Sequence, residues 1–84
     1  MNNDLIVYIV EECPYCNKLI ELLEREHLGY DLVLLEKDST ALEQIKKAYR
    51  WSTVPMVFRR RPRSFKLVGG YSDFKAQLDK GWAR

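Results

Sequence analysis

The feature that most constrains this chain is a pair of cysteines, Cys13 and Cys16, that lies between two apolar segments of different periodicity. The segment before the pair, residues 5–10, is rich in β-branched and aromatic residues and has the length of one buried strand. After the pair, apolar residues recur at the three- and four-residue spacing of one helical face: Leu19, Ile20, Leu22, Leu23 and Leu28. Cysteines with two residues between them, at the junction of a strand and a helix, are typical of a redox-active pair, so the sequence predicts thiol–disulfide chemistry.

The two cysteines are expected to have different roles. At the start of the helix, the Cys13 sulfur faces unsatisfied backbone N–H groups, and these groups together with the helix dipole favour its thiolate form. Cys16 lies about one turn further on the same side, close enough to form a small disulfide ring. Pro14 suits the first turn, where its missing N–H is no loss. We therefore predict that Cys13 is the nucleophile and that Cys16 is the more buried, resolving thiol.

Two other uses of the cysteine pair stay open at this point. The pair can form a structural disulfide, although so small a ring removes little entropy from the unfolded chain. It can also supply half of a zinc site, although the chain has no second cysteine pair and His27 is its only histidine. For His27, a position near the end of the first helix favours an electrostatic role rather than a ligand role.

Length and composition limit the class of protein. The chain has 84 residues, which predicts one domain over residues 1–84. It is 46% hydrophobic with a net charge of +2, values that do not by themselves indicate nucleic-acid or membrane binding. The first four residues lack the pattern of a signal peptide, so we expect a cytoplasmic protein in which paired cysteines are catalytic. Nothing in the sequence demands more than a monomer.

The first half of the chain predicts a strand–helix–strand unit. The first helix is expected over residues 14–27, with Gly29 as its stop. Residues 32–35 form a continuous apolar run, which predicts a second strand that is covered on both faces and parallel to the first. Thr40 and Glu43 fit a capping box that opens a second helix ending near Tyr49, and nothing in that helix demands chemistry.

The segment Thr53-Val54-Pro55 precedes a third apolar run. Pro55 cannot donate to a strand ladder, so it is expected at the start of a strand, and its bond to Val54 is a candidate cis peptide. A turn of this kind leaves the Val54 backbone free beside Cys13. A disulfide-bearing peptide can then pair with Val54 like an added strand.

Together with the cysteine pair, two further motifs produce a family resemblance. Cys13-Pro14-Tyr15-Cys16, Thr53-Val54-Pro55 and Gly69-Gly70-Tyr71-Ser72-Asp73 occur in this order over nearly the whole chain. In this arrangement the sequence resembles the dithiol glutaredoxins. The resemblance implies an α/β, thioredoxin-like fold with a four-stranded mixed sheet flanked by three helices. It also implies a hairpin of residues 56–58 and 65–68, and a last helix over residues 72–80 that adds Phe74 and Leu78 to the core.

The resemblance further implies a glutathione and substrate groove, with glutathione as co-substrate, no permanently bound cofactor and no metal. In the family pattern, Val54 pairs through its main chain with the glutathione cysteine. Ser72 and Asp73 hold the γ-glutamyl end through backbone N–H groups and a carboxylate. The implied groove residues are Tyr15, Thr53, Val54, Pro55, Gly70, Tyr71, Ser72 and Asp73. The implied partners are glutathione and disulfide-bearing or glutathionylated proteins.

Two positions depart from the family pattern. Val10 stands where glutaredoxins commonly carry a lysine, and Trp51 stands where they carry glutamine or arginine. Both usual partners of the glutathione glycine carboxylate are therefore missing, and Arg50 or Arg59 are the candidates to replace them. This departure supports a second hypothesis, in which the protein is a hydrogen donor to ribonucleotide reductase that is recharged by thioredoxin reductase. A third hypothesis, a glutathione-ligated iron–sulfur carrier, is disfavoured by the proline after Cys13.

The most individual stretch of the sequence is the basic segment of residues 59–64. Its four arginines are Arg59, Arg60, Arg61 and Arg63. We expect this segment to form a lengthened loop at the tip of the third-to-fourth strand hairpin. Such a loop either protects the sheet edge or, through its charge, attracts an acidic partner protein or makes weak contact with nucleic acid.

Overall fold

The computed structural model describes residues 4–81, which form a sheet flanked by helices. The elements in chain order are β1 (Leu5–Ile9), α1 (Pro14–Arg25), β2 (Tyr30–Leu34), α2 (Thr40–Tyr49), β3 (Met56–Arg61), β4 (Ser64–Gly69) and α3 (Tyr71–Asp79). The predicted domain of residues 1–84 and the N-terminal residues used to predict localisation extend outside this range. No helix within residues 4–81 is long and apolar enough to cross a membrane.

The four strands form one mixed sheet in the order β2-β1-β3-β4. Strands β1 and β2 are parallel, because the connecting helix α1 returns the chain to the end of the sheet at which β1 begins. Strand β3 is antiparallel to both β1 and β4. This arrangement with three helices confirms the architecture predicted from the sequence. It places the C-terminal end of β1 beside the start of β3.

The core has two layers because β1 alternates in the direction of its side chains. Leu5, Val7 and Ile9 pack with the buried face of α1 and with Phe74 of α3, and the predicted Leu78 packs against this cluster. On the other face, Val10 packs with Leu42, Met56 and Phe58. Helices α1 and α3 therefore cover one face of the sheet, and α2 contributes to the other.

Two helix boundaries differ from the sequence prediction. Helix α1 ends at Arg25, and the left-handed backbone position after it is taken by His27 with φ 56, not by Gly29. Helix α2 is capped by Ser39, whose side chain accepts the Leu42 amide at 3.2 Å. The predicted capping residue Thr40 is instead the first helical residue. Ser39 and Thr40 are adjacent residues whose hydroxyl groups can cap a helix in the same way, so the sequence pattern alone did not show which one is the cap.

The prediction that the second strand is covered on both faces is wrong. Leu32 and Leu34 are 47% and 54% exposed. The sheet order explains this result, because β2 is an edge strand whose one partner among the described strands is β1. An apolar run does not distinguish an edge strand from a central one.

The β3–β4 hairpin is longer than predicted. Both strands continue through the basic segment, so that Arg61 pairs with Ser64 and only Pro62 and Arg63 form the turn. The extra residues therefore lengthen the strands and not the loop. The hairpin tip lies at the end of β3 that is remote from Pro55, because β3 begins at Met56.

Candidate active site

The cysteine pair lies at the start of α1, as predicted. Cys13 is the N-cap residue with extended backbone, and Pro14 is the first helical residue. The Cys16 amide donates a hydrogen bond to the Cys13 sulfur at 3.2 Å, so a first-turn N–H group does face this sulfur. The two cysteines form a disulfide with their Cα atoms 5.2 Å apart.

The two sulfurs differ in exposure. Cys16 is 0% exposed and packs in the core with Leu19 and Phe74. Cys13 is half-buried and lies at the edge of both core clusters. The burial predicted for Cys16 is confirmed, and an incoming disulfide can approach the pair only from the Cys13 side.

The proline turn supplies a free stretch of backbone. The Val54–Pro55 peptide bond is cis, as the sequence suggested. Pro55 is buried, whereas Val54 is half-buried and packs against the same clusters as Cys13. Within residues 4–81, no backbone or side-chain group forms a hydrogen bond with the main chain of Val54. This backbone is therefore available to a peptide.

The glycine turn fixes an acid at the start of α3. Gly70 is the N-cap residue, and its amide donates to Asp73 Oδ2 at 3.0 Å. Asp73 is exposed, and this is the one bond that its carboxylate makes to the described residues. Ser72 is the second residue of the helix, where backbone N–H groups have no intrahelical acceptor.

All the groove residues predicted from the sequence line one cavity of about 270 Å³. They are Tyr15, Thr53, Val54, Pro55, Gly70, Tyr71, Ser72 and Asp73, with Trp51 as an addition. Asp73 is the only charged residue among them. The fold thus brings together three motifs that are separated by up to 58 positions in sequence, from Tyr15 to Asp73.

Aromatic rings form much of this groove. The rings of Tyr15 and Tyr71 lie 6.1 Å apart between centroids with an interplanar angle of 44°. Tyr15 is 56% exposed, and the ammonium of Lys18 lies 5.0 Å from its ring centroid. Lys18 thereby places a positive charge beside the cysteine turn through a cation–π contact.

Sequence reasoning missed a second cavity, of about 480 Å³, that shares Trp51 with the groove. Its lining includes Lys46, Lys47 and Arg50 at the end of α2. The Trp51 Nε1 group is buried, and no described residue accepts a hydrogen bond from it. The spacing of three cations just before the Thr-Val-Pro segment was the available signal, but in an isolated helix it is equally typical of a solvated face.

On the other side of the cysteine turn the surface is acidic. A cavity of about 590 Å³ is lined by Glu11, Glu12 and Glu36, with Lys37 as its one cation, and by Leu34 and Leu35. It contains none of the predicted site residues. With three carboxylates and one ammonium, this cavity is predominantly acidic.

The zinc alternative requires additional ligands near the cysteine pair. His27 is exposed and follows the far end of α1, about three turns from Cys13. In the part of the chain that the structure describes, no three histidine, cysteine, aspartate or glutamate residues are grouped so that they could hold a metal ion.

Comparison with known proteins identifies relatives of this arrangement. The family model described as Glutaredoxin matches residues 5–61. A glutaredoxin from Brucella melitensis is 26% identical with a TM-score of 0.71, and the match covers 94% of this chain and 82% of that one. A wheat glutaredoxin has a TM-score of 0.77 at 23% identity, with 95% and 73% of the two chains covered. The similarity to these structures confirms the thioredoxin-like fold.

A third structure extends the comparison. A glutaredoxin from Francisella tularensis has a TM-score of 0.71 at 20% identity, covering 90% of this chain and 92% of the other. No curated protein sequence matches the chain. The fold is thus shared with proteins from bacteria and a plant at low sequence identity.

Proposed function

The chain belongs to the glutaredoxin family and is a thiol–disulfide oxidoreductase, and we propose that glutathione is its electron donor. Under this proposal it reduces glutathione mixed disulfides and protein disulfides, with Cys13 as the nucleophile and Cys16 as the resolving thiol. Its partners are disulfide-bearing or glutathionylated cytoplasmic proteins, a group that includes ribonucleotide reductase. It acts as a monomer of one domain, residues 1–84, with no permanently bound cofactor.

In the one-cysteine route, the Cys13 thiolate attacks the glutathione sulfur of a mixed disulfide. The substrate sulfur leaves as a thiolate and takes a proton from water, while Cys13 is left bonded to glutathione. A second glutathione thiolate then attacks that sulfur, which releases glutathione disulfide and restores the Cys13 thiolate. Each step exchanges one S–S bond for another, and glutathione is the net reductant.

In the two-cysteine route, Cys13 attacks a protein disulfide and forms a mixed disulfide with it. The Cys16 thiolate then attacks the Cys13 sulfur, and the second sulfur of the substrate leaves as a thiol. The product is the Cys13–Cys16 disulfide, the state in which the structure holds the pair. Two glutathione molecules return it to the dithiol.

The observation that supports glutathione most directly is that the eight groove residues implied by the family resemblance line a single cavity. The free Val54 main chain can pair with the cysteine residue of glutathione. At the Asp73 end, the carboxylate can hold the ammonium, and the amide of Ser72 can donate to the α-carboxylate of the γ-glutamyl group.

The glycine carboxylate of glutathione requires a different partner from those common in the family. Val10 is 8% exposed and belongs to the core, so this position offers no charge. Of the two arginines considered as replacements, Arg59 lies towards the hairpin end of β3, opposite Leu5. Arg50 lines the cavity next to Trp51. We therefore assign this role to Arg50.

The test is turnover of a small glutathione mixed disulfide, coupled to glutathione reductase, with thioredoxin reductase assayed in parallel. We expect turnover with glutathione, at a rate that saturates as the concentration of the mixed disulfide is raised. Turnover with thioredoxin reductase alone would overturn the glutathione proposal and support the hypothesis of a hydrogen donor recharged by that enzyme. Cys13→Ser serves as the control for background exchange.

A further inference from the structure

The cations at the end of α2 line a cavity that adjoins the glutathione groove. Trp51 lines both the groove that contains Asp73 and the cavity that contains Lys46, Lys47 and Arg50. We call these three cations and their cavity the α2 shelf. The order of charge across the site is therefore an acid, an aromatic wall, and a group of cations.

Among residues 4–81, the shelf cations have no partners of opposite charge. Neither Lys46, Lys47 nor Arg50 forms an ion pair with any residue of the described range, although Glu43 lines the same cavity. The helix dipole favours cations at this end of α2. At Arg50, however, the backbone is left-handed, with φ 52 and ψ 44, where glycine is the usual residue. The chain therefore has a charged residue at a backbone position where glycine is the usual residue.

The charge order gives the groove a direction. Under the proposed function, on which this inference rests, the amine side of the substrate lies at Asp73 and its cysteine lies at Val54. The chain that follows the cysteine then leads past Trp51 towards the shelf. The indole N–H of Trp51, which has no acceptor among the described residues, lies at this junction and can donate to a carbonyl or carboxylate that crosses it.

We propose that the preferred protein substrates carry acidic residues shortly after the reactive cysteine. Trp51 lies three positions from Val54 in the chain, which limits their separation to about 10 Å, so about three residues of extended substrate lead from Val54 to the shelf. The acids therefore fall within about three positions of that cysteine, on its C-terminal side. Glutathione ends one residue after its cysteine and reaches only the start of the shelf. The shelf thus selects a longer, acidic peptide segment in addition to glutathione.

The experiment uses two symmetrical peptide disulfides of equal composition and charge. In one, the peptide is Ac-Gly-Cys-Gly-Glu-Glu-NH₂, and in the other it is Ac-Glu-Glu-Gly-Cys-Gly-NH₂. The reduced protein is mixed with each in single-turnover reactions without glutathione. The Cys13 thiolate displaces one peptide thiol and Cys16 displaces the other, so the protein disulfide and two free peptides are formed.

We expect the peptide with its glutamates after the cysteine to react roughly fivefold faster at low salt, which corresponds to about 1 kcal/mol in total, or about 0.5 kcal/mol for each of two exposed charge pairs. The preference should disappear in about 1 M salt, where the Debye length is about 3 Å. It should also disappear in a variant with Lys46→Gln, Lys47→Gln and Arg50→Gly, in which the helix and its left-handed cap are kept.

The matched control removes the same charge from the remote hairpin through Arg61→Gln, Arg63→Gln and Lys66→Gln, and it should keep the preference. Equal rates for the two peptides would overturn the inference, as would a preference that survives in the shelf variant. Failure of the proposed function has a different signature. In that case the protein does not turn over with glutathione. The ratio of the two peptide rates is still measurable, because the single-turnover reactions contain no glutathione.

Discussion

Asp73 occupies the space that a side chain at Gly69 would need. A Cβ atom built on Gly69 would lie 2.6 Å from Asp73 Oδ2, and Gly69 itself has φ 130. The same carboxylate oxygen accepts the Gly70 amide at 3.0 Å. The paired glycines and the acid thus form one structural unit, in which the turn makes room for the carboxylate that lines the groove.

This unit predicts that alanine substitutions at the two glycines differ in their effect on stability. Gly69→Ala should lower the free energy of unfolding by about 1–3 kcal/mol, because the side chain meets both a positive φ and the Asp73 carboxylate. Gly70→Ala should change it little, since its Cβ would make ordinary contacts of 3.6–4.0 Å with Pro55, Asp73 and Trp51. Urea unfolding of both variants checks the prediction, and equal losses would contradict it.

A second prediction separates the two roles of Asp73. Asp73→Asn keeps an oxygen that accepts the Gly70 amide but removes the charge, so stability should hold. The KM for the glutathione mixed disulfide should rise roughly tenfold or more, as expected for a lost charge-assisted hydrogen bond. Asp73→Ala should lose the same binding and about 1 kcal/mol of stability as well. If Asp73→Asn binds like the natural protein, the carboxylate has only a structural role.

The sequence was sufficient wherever a local motif carries its own geometry. The helix start at Cys13 follows from a short segment with few alternative conformations, and the bond before Pro55 was a candidate cis bond on the same ground. The meeting of Asp73 with the Thr-Val-Pro turn was expected only from the family resemblance. Resemblance to a family then supplied the order in which the segments assemble. The groove was therefore predictable residue by residue.

Features that depend on neighbours in space were not predictable in this way. Leu34 is exposed because β2 has one partner, and the strand order is a property of the whole sheet. The sequence left Arg50 and Arg59 as alternatives, and the structure separates them because Arg50 lines the cavity that shares Trp51 with the groove. The sequence pattern around Arg50 gives its helix but not the surface that the helix adjoins.

A third prediction concerns the two sulfurs. Cys13→Ser should abolish reduction of both glutathione mixed disulfides and protein disulfides, because the buried Cys16 cannot reach a substrate. Cys16→Ser should keep turnover of the mixed disulfide and lose the two-cysteine route. Mass spectrometry of Cys16→Ser during turnover should detect glutathione bound to Cys13. Full activity in Cys13→Ser would refute the assigned nucleophile.

The fourth prediction tests the ion pair that joins β3 to β2 across β1. Arg60 lies 2.8 Å from Asp31, and the two side chains are 29% and 47% exposed. So exposed a pair contributes at most about 1 kcal/mol. Arg60→Met should therefore lower stability by no more than this at low salt, with a smaller loss at high salt. Arg61→Met, at an exposed residue of the same strand, is the control, and a loss independent of salt would exclude an electrostatic origin.

The last prediction concerns Trp51, which stands where related proteins have a residue that binds the glutathione carboxylate. Trp51→Arg should lower the KM for the glutathione mixed disulfide roughly tenfold, because it adds a charge-assisted hydrogen bond inside the groove. The substitution also removes an aromatic ring that packs against the core around Val10 and Met56, so stability should fall. Trp51→Leu is the control for lost packing without added charge, and its KM should not decrease. Steady-state kinetics of both variants, with unfolding curves to show that each is folded, provide the measurement. An unchanged KM in Trp51→Arg would mean that the glycine carboxylate of glutathione does not lie near residue 51. That result would also exclude Arg50 as the partner of this carboxylate.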